Sequence, residues 1–206
     1  MMKSIDTLTV SSKPKNRAIA VITNDLQYAA AYKHEERRRS VEAFLPGLCS
    51  FLRQMREVGV PIIHLQLSTP SDDPRSANLP DELRFCEGSK GIQMLEQVLE
   101  ATDFVMAKPK DSGFFDTDLE KVLNDMGVKT VILTGMQAQI CIQTTAADAY
   151  FRGFKVLVPS DGVVSTREED ILRALDWLKN YCARVLTMKE IVDLISDDEF
   201  EVDVDG

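Results

Sequence analysis

Short runs of apolar residues alternate along this chain with longer segments in which apolar positions recur every three or four residues. The runs predict strands that are buried on both faces, at 17–23, 60–67, 103–107, 128–134, 154–158 and 183–186. The longer segments predict helices, at 41–58, 91–100, 118–126, 140–152, 167–180 and 188–195. Strands that alternate with helices form right-handed β-α-β units. We therefore expect a three-layer α/β/α fold around a six-stranded parallel sheet.

This pattern covers residues 17–195 and predicts a single domain, for which a chain of 206 residues with 44% hydrophobic content supplies enough apolar surface. Residues 1–16 contain charged residues, Ser and Pro but no apolar stretch, so we expect an N-terminal extension and no signal peptide. Residues 196–206 form an acidic tail. The proline-containing segment 68–90 is long for a connection and predicts a lid over a site.

Composition excludes several classes of function. The formal net charge of −9 argues against nucleic-acid and anionic-membrane partners. No apolar run is long enough to cross a membrane, so we expect a cytoplasmic protein. The four cysteines show no CxxC pairing, and the acidic residues of 72–82 are more typical of a solvated loop than of a cation site. We expect no metal and no cofactor.

Candidate chemistry lies where the carboxyl ends of parallel strands meet. Asp25, Lys108 and Cys141 each follow a predicted strand. Cys141 also lies at the start of a predicted helix, where free N–H groups stabilise a thiolate and an oxyanion. A lysine lowers the pKa of a thiol and a carboxylate accepts its proton, so nucleophilic catalysis is available without histidine. His34 fits a charged helix start and His64 lies inside a strand, which favours a core role.

Three motifs carry a resemblance to the isochorismatase-like cysteine hydrolases. Residues 21–27 (VITNDLQ) resemble hydrophobic residues followed by I-D-x-Q, and residues 108–114 (KPKDSGF) resemble K-x-x-x-S-x-F. Residues 135–149 (GMQAQICIQTTAADA) resemble G-x-x-T-x-x-C-V-x-x-T-A-x-D-A. The resemblance implies a Rossmann-like fold, a catalytic triad of Asp25, Lys108 and Cys141, and a non-proline cis peptide at Met136–Gln137. Lys110 competes with Lys108, but the spacing to Ser112 and Phe114 favours Lys108.

The resemblance also narrows the expected reaction. Family members that cleave the vinyl ether of isochorismate lack the cysteine, whereas those that cleave amide-type C–N bonds retain it, so Cys141 favours a cysteine-dependent amidohydrolase with a thioester intermediate. A vinyl ether hydrolase and a non-catalytic binding protein remain alternatives. The metal-binding histidines of nicotinamidases have no counterpart in segment 68–90. Ala138 replaces the family's Thr, and Asn24 replaces its Ile, so Asn24 either reaches the site or caps a helix.

Substrate contacts follow from proximity to the triad in the sequence. We expect Gln27, Phe114, Gln137 and Ala138 to contact a small-molecule substrate, and Phe115 is a further candidate. Arginines 37–39 either recognise a substrate carboxylate or belong to a charged helix start, and the second reading is favoured. Cys86 is the other thiol that could reach the site. By resemblance we expect a homodimer or homotetramer.

Overall fold

The computed structural model describes residues 18–74 and 78–196. The predicted N-terminal extension and, apart from Ser196, the acidic tail lie outside the described residues. The strands are β1 (Ile19–Asn24), β2 (Ile62–Leu67), β3 (Phe104–Lys108), β4 (Thr130–Met136), β5 (Lys155–Pro159), β6 (Val163–Val164) and β7 (Arg184–Leu186). The helices are α1 (Tyr28–Ala31), α2 (Glu35–Glu57), α3 (Leu119–Asp125), α4 (Gln143–Phe151), α5 (Glu168–Tyr181) and α6 (Met188–Ser196).

The strands form one parallel sheet in the order β3-β2-β1-β4-β5-β7. The three-layer fold and all six predicted strands are confirmed. A seventh strand, β6, pairs with the end of β4 through Gly135 and Met136. The apolar pattern missed it because two residues are too short to produce a recognisable run.

Alternate residues of each strand enter two separate apolar cores. In β1, Ala20 and Ile22 face the core beneath α3, α4 and α5, whereas Ile19 and Val21 face the core beneath α2 and α6. Both faces of the sheet are therefore covered, which explains why the strands read as continuous apolar runs and not as alternating ones. Within the described ranges, no helix combines the length and apolarity needed to cross a membrane.

Two predicted helical segments can be compared with the observed elements. Helix α2 begins at Glu35, so the charged helix start predicted around residues 34–39 is confirmed and precedes the apolar pattern that begins at residue 41. The predicted helix at 91–100 is wrong. The chain there forms a single 3₁₀ turn, Glu96–Val98, and Met94 makes an antiparallel bridge to Gln27, which requires extended backbone.

Gly135 lies where β1 and β4 approach each other at the carboxyl edge of the sheet. Its φ of 106° is in the region that favours glycine. A Cβ atom at this position would lie 2.4 Å from the backbone oxygen of Asn24, directly before Asp25. Any side chain at Gly135 would therefore push apart the two strand ends that carry the candidate site.

We predict that Gly135→Ala lowers the free energy of unfolding by about 3 kcal/mol, since it combines left-handed strain with an overpacked contact. Gly127→Ala is the matched control, because Gly127 also has a positive φ of 74° but a Cβ there meets nothing within 4 Å. The control should cost about 1 kcal/mol. Urea denaturation of both variants measures the difference, and equal losses would show that the close approach to Asn24 is unimportant.

Candidate active site

The three residues predicted to be catalytic come together at the carboxyl edge of the sheet. Asp25 directly follows β1, Lys108 is the last residue of β3, and Cys141 lies in the π-helical turn Ala138–Ile142 between β4 and α4. All three are buried, with exposed fractions of 4%, 0% and 6% in that order. The sheet therefore assembles the constellation from three separate crossover connections.

A buried ion pair joins Lys108 to Asp25. The Lys108 Nζ atom lies 3.0 Å from Oδ1 and 3.1 Å from Oδ2 of Asp25. It also donates hydrogen bonds of 3.1 Å to the backbone oxygens of Lys110 and Asp111. The structure thus selects Lys108 over Lys110, which contributes its carbonyl oxygen while its side chain is exposed.

The Asp25 carboxylate is held in an environment that favours protonation. Its φ of 52° bends the chain sharply after β1, and its backbone N–H donates to the Leu65 oxygen at 3.0 Å. Burial raises the pKa of Asp25, and the neighbouring Lys108 charge lowers it only in part. Oδ1 accepts no hydrogen bond from the described residues, although it faces the Lys108 nitrogen. Asp25 is therefore a stronger base than an exposed carboxylate.

The Cys141 thiol is buried beside opposite charges. Burial raises the pKa of Cys141, the negative charge of Asp25 raises it further, and Lys108 lowers it only in part. Lys108 thus lowers the thiol pKa as predicted, but desolvation outweighs the lysine. The resting side chain is a protonated thiol, and its Sγ donates to Asp111 Oδ1 at 3.8 Å. Such a thiol needs a base before it can attack.

The turn that carries Cys141 contains the cis peptide at Met136–Gln137 that the family resemblance implied. Ala138 donates its backbone N–H to Ser165 Oγ at 3.0 Å, and Ser165 in turn donates to Gln139 Oε1 at 2.7 Å. Ser165 directly follows the unpredicted strand β6. A hydroxyl group therefore contacts the backbone at Ala138, although position 138 itself lacks the family's Thr.

A cavity of about 160 Å³ opens above the thiol and the Asp25 carboxylate. Sequence reasoning missed most of its lining residues, among them Phe85 and Asp111. Phe85 comes from the long segment that was predicted to be a lid, and Asp111 occupies a variable position of the second motif. The remaining residues form the wall around them: Ala30, Lys33, Arg37, Leu67, Met136, Gln137 and Ile140.

Of the four predicted substrate contacts, the structure brings Gln137 to the cavity wall. Gln27 instead bonds to backbone atoms, donating to Leu67 and Ile92 and accepting from the Leu67 N–H. Phe114 lies in the core, with its ring 5.9 Å from that of Phe154. Ala138, the first residue of the Cys141 turn, is fully buried. Proximity in sequence failed here because these side chains point away from the triad edge.

The other candidates from the sequence lie outside the cavity. Phe115 is exposed, and the Cys86 side chain is buried without lining the cavity. Asn24 neither reaches the site nor caps a helix, because its Oδ1 accepts from Thr145 Oγ1 at 3.4 Å on α4. His64 bonds to Thr23 and Asp103 in the core. Within the described residues, no group of three or more His, Cys, Asp and Glu side chains could hold a metal ion.

Comparisons with known proteins identify similar sequences and similar folds. The family model for the isochorismatase domain matches residues 19–190. The isochorismatase family protein YaaI of Bacillus subtilis is 27% identical over 75% of this chain and 85% of its own length. Ureidoacrylate amidohydrolase RutB of an Enterobacter species is 28% identical over 54% of this chain and 50% of its own length.

Among solved structures, N-carbamoylsarcosine amidase from Thermoplasma acidophilum superposes with a TM-score of 0.70 and is 24% identical. The match covers 82% of this chain and 96% of that protein. At this level of identity, the superposition shows a shared fold.

We predict that native Cys141 reacts slowly with iodoacetamide through pH 9, because a raised pKa leaves little thiolate. The charge of the exposed Asp111 also raises that pKa, so Asp111→Asn should speed alkylation about threefold at pH 8. Asp118→Asn, at another exposed carboxylate, is the control and should change nothing. Peptide mass spectrometry reports the rate at Cys141. If the alkylation rate of wild-type Cys141 rises with a midpoint below pH 8, the raised pKa of this thiol is contradicted.

Proposed function

Because this chain belongs to the isochorismatase family, we propose that it is a cysteine-dependent hydrolase that cleaves an amide-type C–N bond of a small molecule. Members of this family are hydrolases, and its amidases include relatives of this chain. The observation that supports the proposal most strongly is the buried contact of Asp25 with Lys108 beside the Cys141 thiol, at the floor of a small cavity. Nucleophile, base and balancing charge are thus adjacent.

The first step of the proposed reaction is proton transfer from Cys141 to Asp25. Both side chains have raised pKa values, so the proton rests on sulfur and the carboxylate has an increased affinity for it. The sulfur then attacks the carbonyl carbon of the substrate, and a C–S bond forms while the carbonyl π electrons move to oxygen. Backbone N–H groups of the Cys141 turn stabilise the resulting oxyanion.

Collapse of this intermediate breaks the C–N bond. Asp25 returns its proton to the leaving nitrogen, and ammonia or an amine departs while the acyl group remains on sulfur as a thioester. Asp25 then removes a proton from water, whose oxygen attacks the thioester carbonyl. The C–S bond breaks, the acid departs, and Asp25 returns the proton to the Cys141 sulfur. Lys108 keeps a positive charge beside Asp25 throughout, which stabilises the carboxylate whenever it is ionised.

Apart from the water that attacks the thioester, the side chains of Asp25, Lys108 and Cys141 supply the nucleophile, the acid–base group and the balancing charge of this reaction, so we propose that it needs neither a metal nor a cofactor. The cavity of about 160 Å³ fits a small substrate. We further propose that the protein functions in the cytoplasm as a homo-oligomer.

We predict that Cys141→Ala, Asp25→Asn and Lys108→Met each lower kcat/KM by about 10³-fold or more on any amide that the protein hydrolyses. Cys141→Ala removes the nucleophile, Asp25→Asn removes the base, and Lys108→Met removes the positive charge that balances Asp25. A panel of small amides and ureides, assayed by ammonia release, identifies the substrate and measures the loss. Cys49→Ala is the matched control, since this half-buried thiol on α2 lies outside the cavity, and it should retain full turnover.

Circular dichroism and thermal unfolding of the variants exclude a loss of fold as the cause. Dialysis against EDTA should leave the activity of the wild-type protein unchanged. Full turnover by Cys141→Ala would overturn the proposed mechanism. Release of pyruvate from isochorismate by this same variant would instead identify a vinyl ether hydrolase in which the cysteine is incidental.

A further inference from the structure

Two cationic side chains line the cavity in addition to the catalytic residues. Arg37, in the first turn of α2, and Lys33, just before that helix, both contribute to its wall. Neither forms a salt bridge with a carboxylate among the described residues. The salt bridges in that part of the chain involve other cationic side chains. The cavity therefore holds positive charge that the triad does not use.

Every described partner of Arg37 is neutral. Its Nε donates to Thr166 Oγ1 at 2.8 Å and its Nη1 to the Ala30 backbone oxygen at 3.2 Å. With the Gln137 amide turned so that its oxygen faces the guanidinium, that oxygen lies 2.7 Å from Nη2 and 3.1 Å from Nη1. Burial lowers the pKa of Arg37. These contacts fix the orientation of the guanidinium without neutralising it.

Arg38 and Arg39, which follow Arg37, form the ion pairs that are expected at a charged helix start. Arg38 pairs with Glu35 and Glu42, and Arg39 pairs with Glu35, all near the surface. The N-terminal turn of a helix disfavours positive charge, so these glutamates compensate two of the three arginines. Arg37 alone of the three turns inward to the cavity, which helix stability does not explain.

The opposite charge lies beside the nucleophile. Asp111 Oδ1 accepts from the Cys141 thiol, and Asp25 lies on the cavity floor. An anionic group on the substrate is repelled from this end, whereas the N–H groups of an amide or ureide can donate to Asp111. One cavity thus offers a substrate both a carboxylate acceptor beside the thiol and a cationic side chain that can bind a negative group.

We propose that Arg37, assisted by Lys33, binds a carboxylate of the substrate, so that the protein acts on an amide or ureide that also carries a carboxylate group. This inference rests on the proposed function. A guanidinium presents a planar pair of donors that matches a carboxylate. The Gln137 oxygen, which now occupies this position, yields it to the substrate carboxylate. The small volume favours a planar carboxylate over a bulkier phosphate.

Binding to the purified full-length protein tests the inference without requiring turnover. The probes are three ureido acids with one, two or three methylene groups between nitrogen and carboxylate, together with their uncharged methyl esters. Calorimetry on the Cys141→Ala variant measures affinity, since this variant cannot consume the ligand. We expect at least one acid to bind about 100-fold more tightly than its ester, and Arg37→Gln to abolish that preference.

Arg39→Gln is the matched control, because Arg39 lies two residues further along the same helix and is exposed. It should leave binding of acid and ester unchanged. The preference for the acid should also weaken as salt concentration rises, and Arg37→Lys should restore part of it. When Cys141 is intact, the Arg37→Gln substitution should raise KM for the acid while changing kcat little.

Equal binding of acids and esters, no binding of any acid, or an identical loss in Arg37→Gln and Arg39→Gln would overturn the carboxylate assignment. These results are separate from a failure of the proposed function. If the acid binds through Arg37 but wild-type protein never releases ammonia from any amide, the hydrolase proposal fails while the anion site stands. If neutral amides are hydrolysed through Cys141 and the acids neither bind nor react, the carboxylate assignment fails while the hydrolase proposal stands.

Discussion

The buried ion pair between Lys108 and Asp25 is the constraint on which the site depends. An amine with an exposed fraction of 0% is costly to bury unless a carboxylate and further acceptors surround it. Here the carboxylate of Asp25 and the carbonyl oxygens of Lys110 and Asp111 do so. The pair joins the ends of β3 and β1, with β2 between them. The site therefore forms only when the strands pair in this order and in this register.

The same burial sets the protonation of the site. It raises the pKa of Asp25 and of Cys141, which makes the carboxylate a stronger base and the thiol a weaker acid. The same cavity is lined by carboxylates near the thiol and by Arg37. The proposed binding and the proposed catalysis therefore fall to different side chains of one small cavity.

Much of this structure could be predicted from the sequence, because the signals were local. Six strands are continuous apolar runs, and the triad residues stand at strand ends inside recognisable motifs. The rest depends on side-chain direction and on contacts between distant segments. Gln27 and Phe114 neighbour the triad in sequence but face elsewhere, whereas Arg37 was hidden within a charged helix start. Ser165 follows a strand too short to carry a pattern.

The central claim is that Cys141 becomes acylated during turnover. Once a hydrolysed amide is identified, the most direct test is to mix it with excess enzyme, quench in acid within the first turnover, and examine the Cys141 peptide by mass spectrometry. The account predicts an added mass equal to the acyl group of the substrate, which hydroxylamine removes and which the Asp25→Asn variant accumulates slowly. Stoichiometric release of ammonia with Cys141 unmodified, or with the acyl group on another residue, would contradict it.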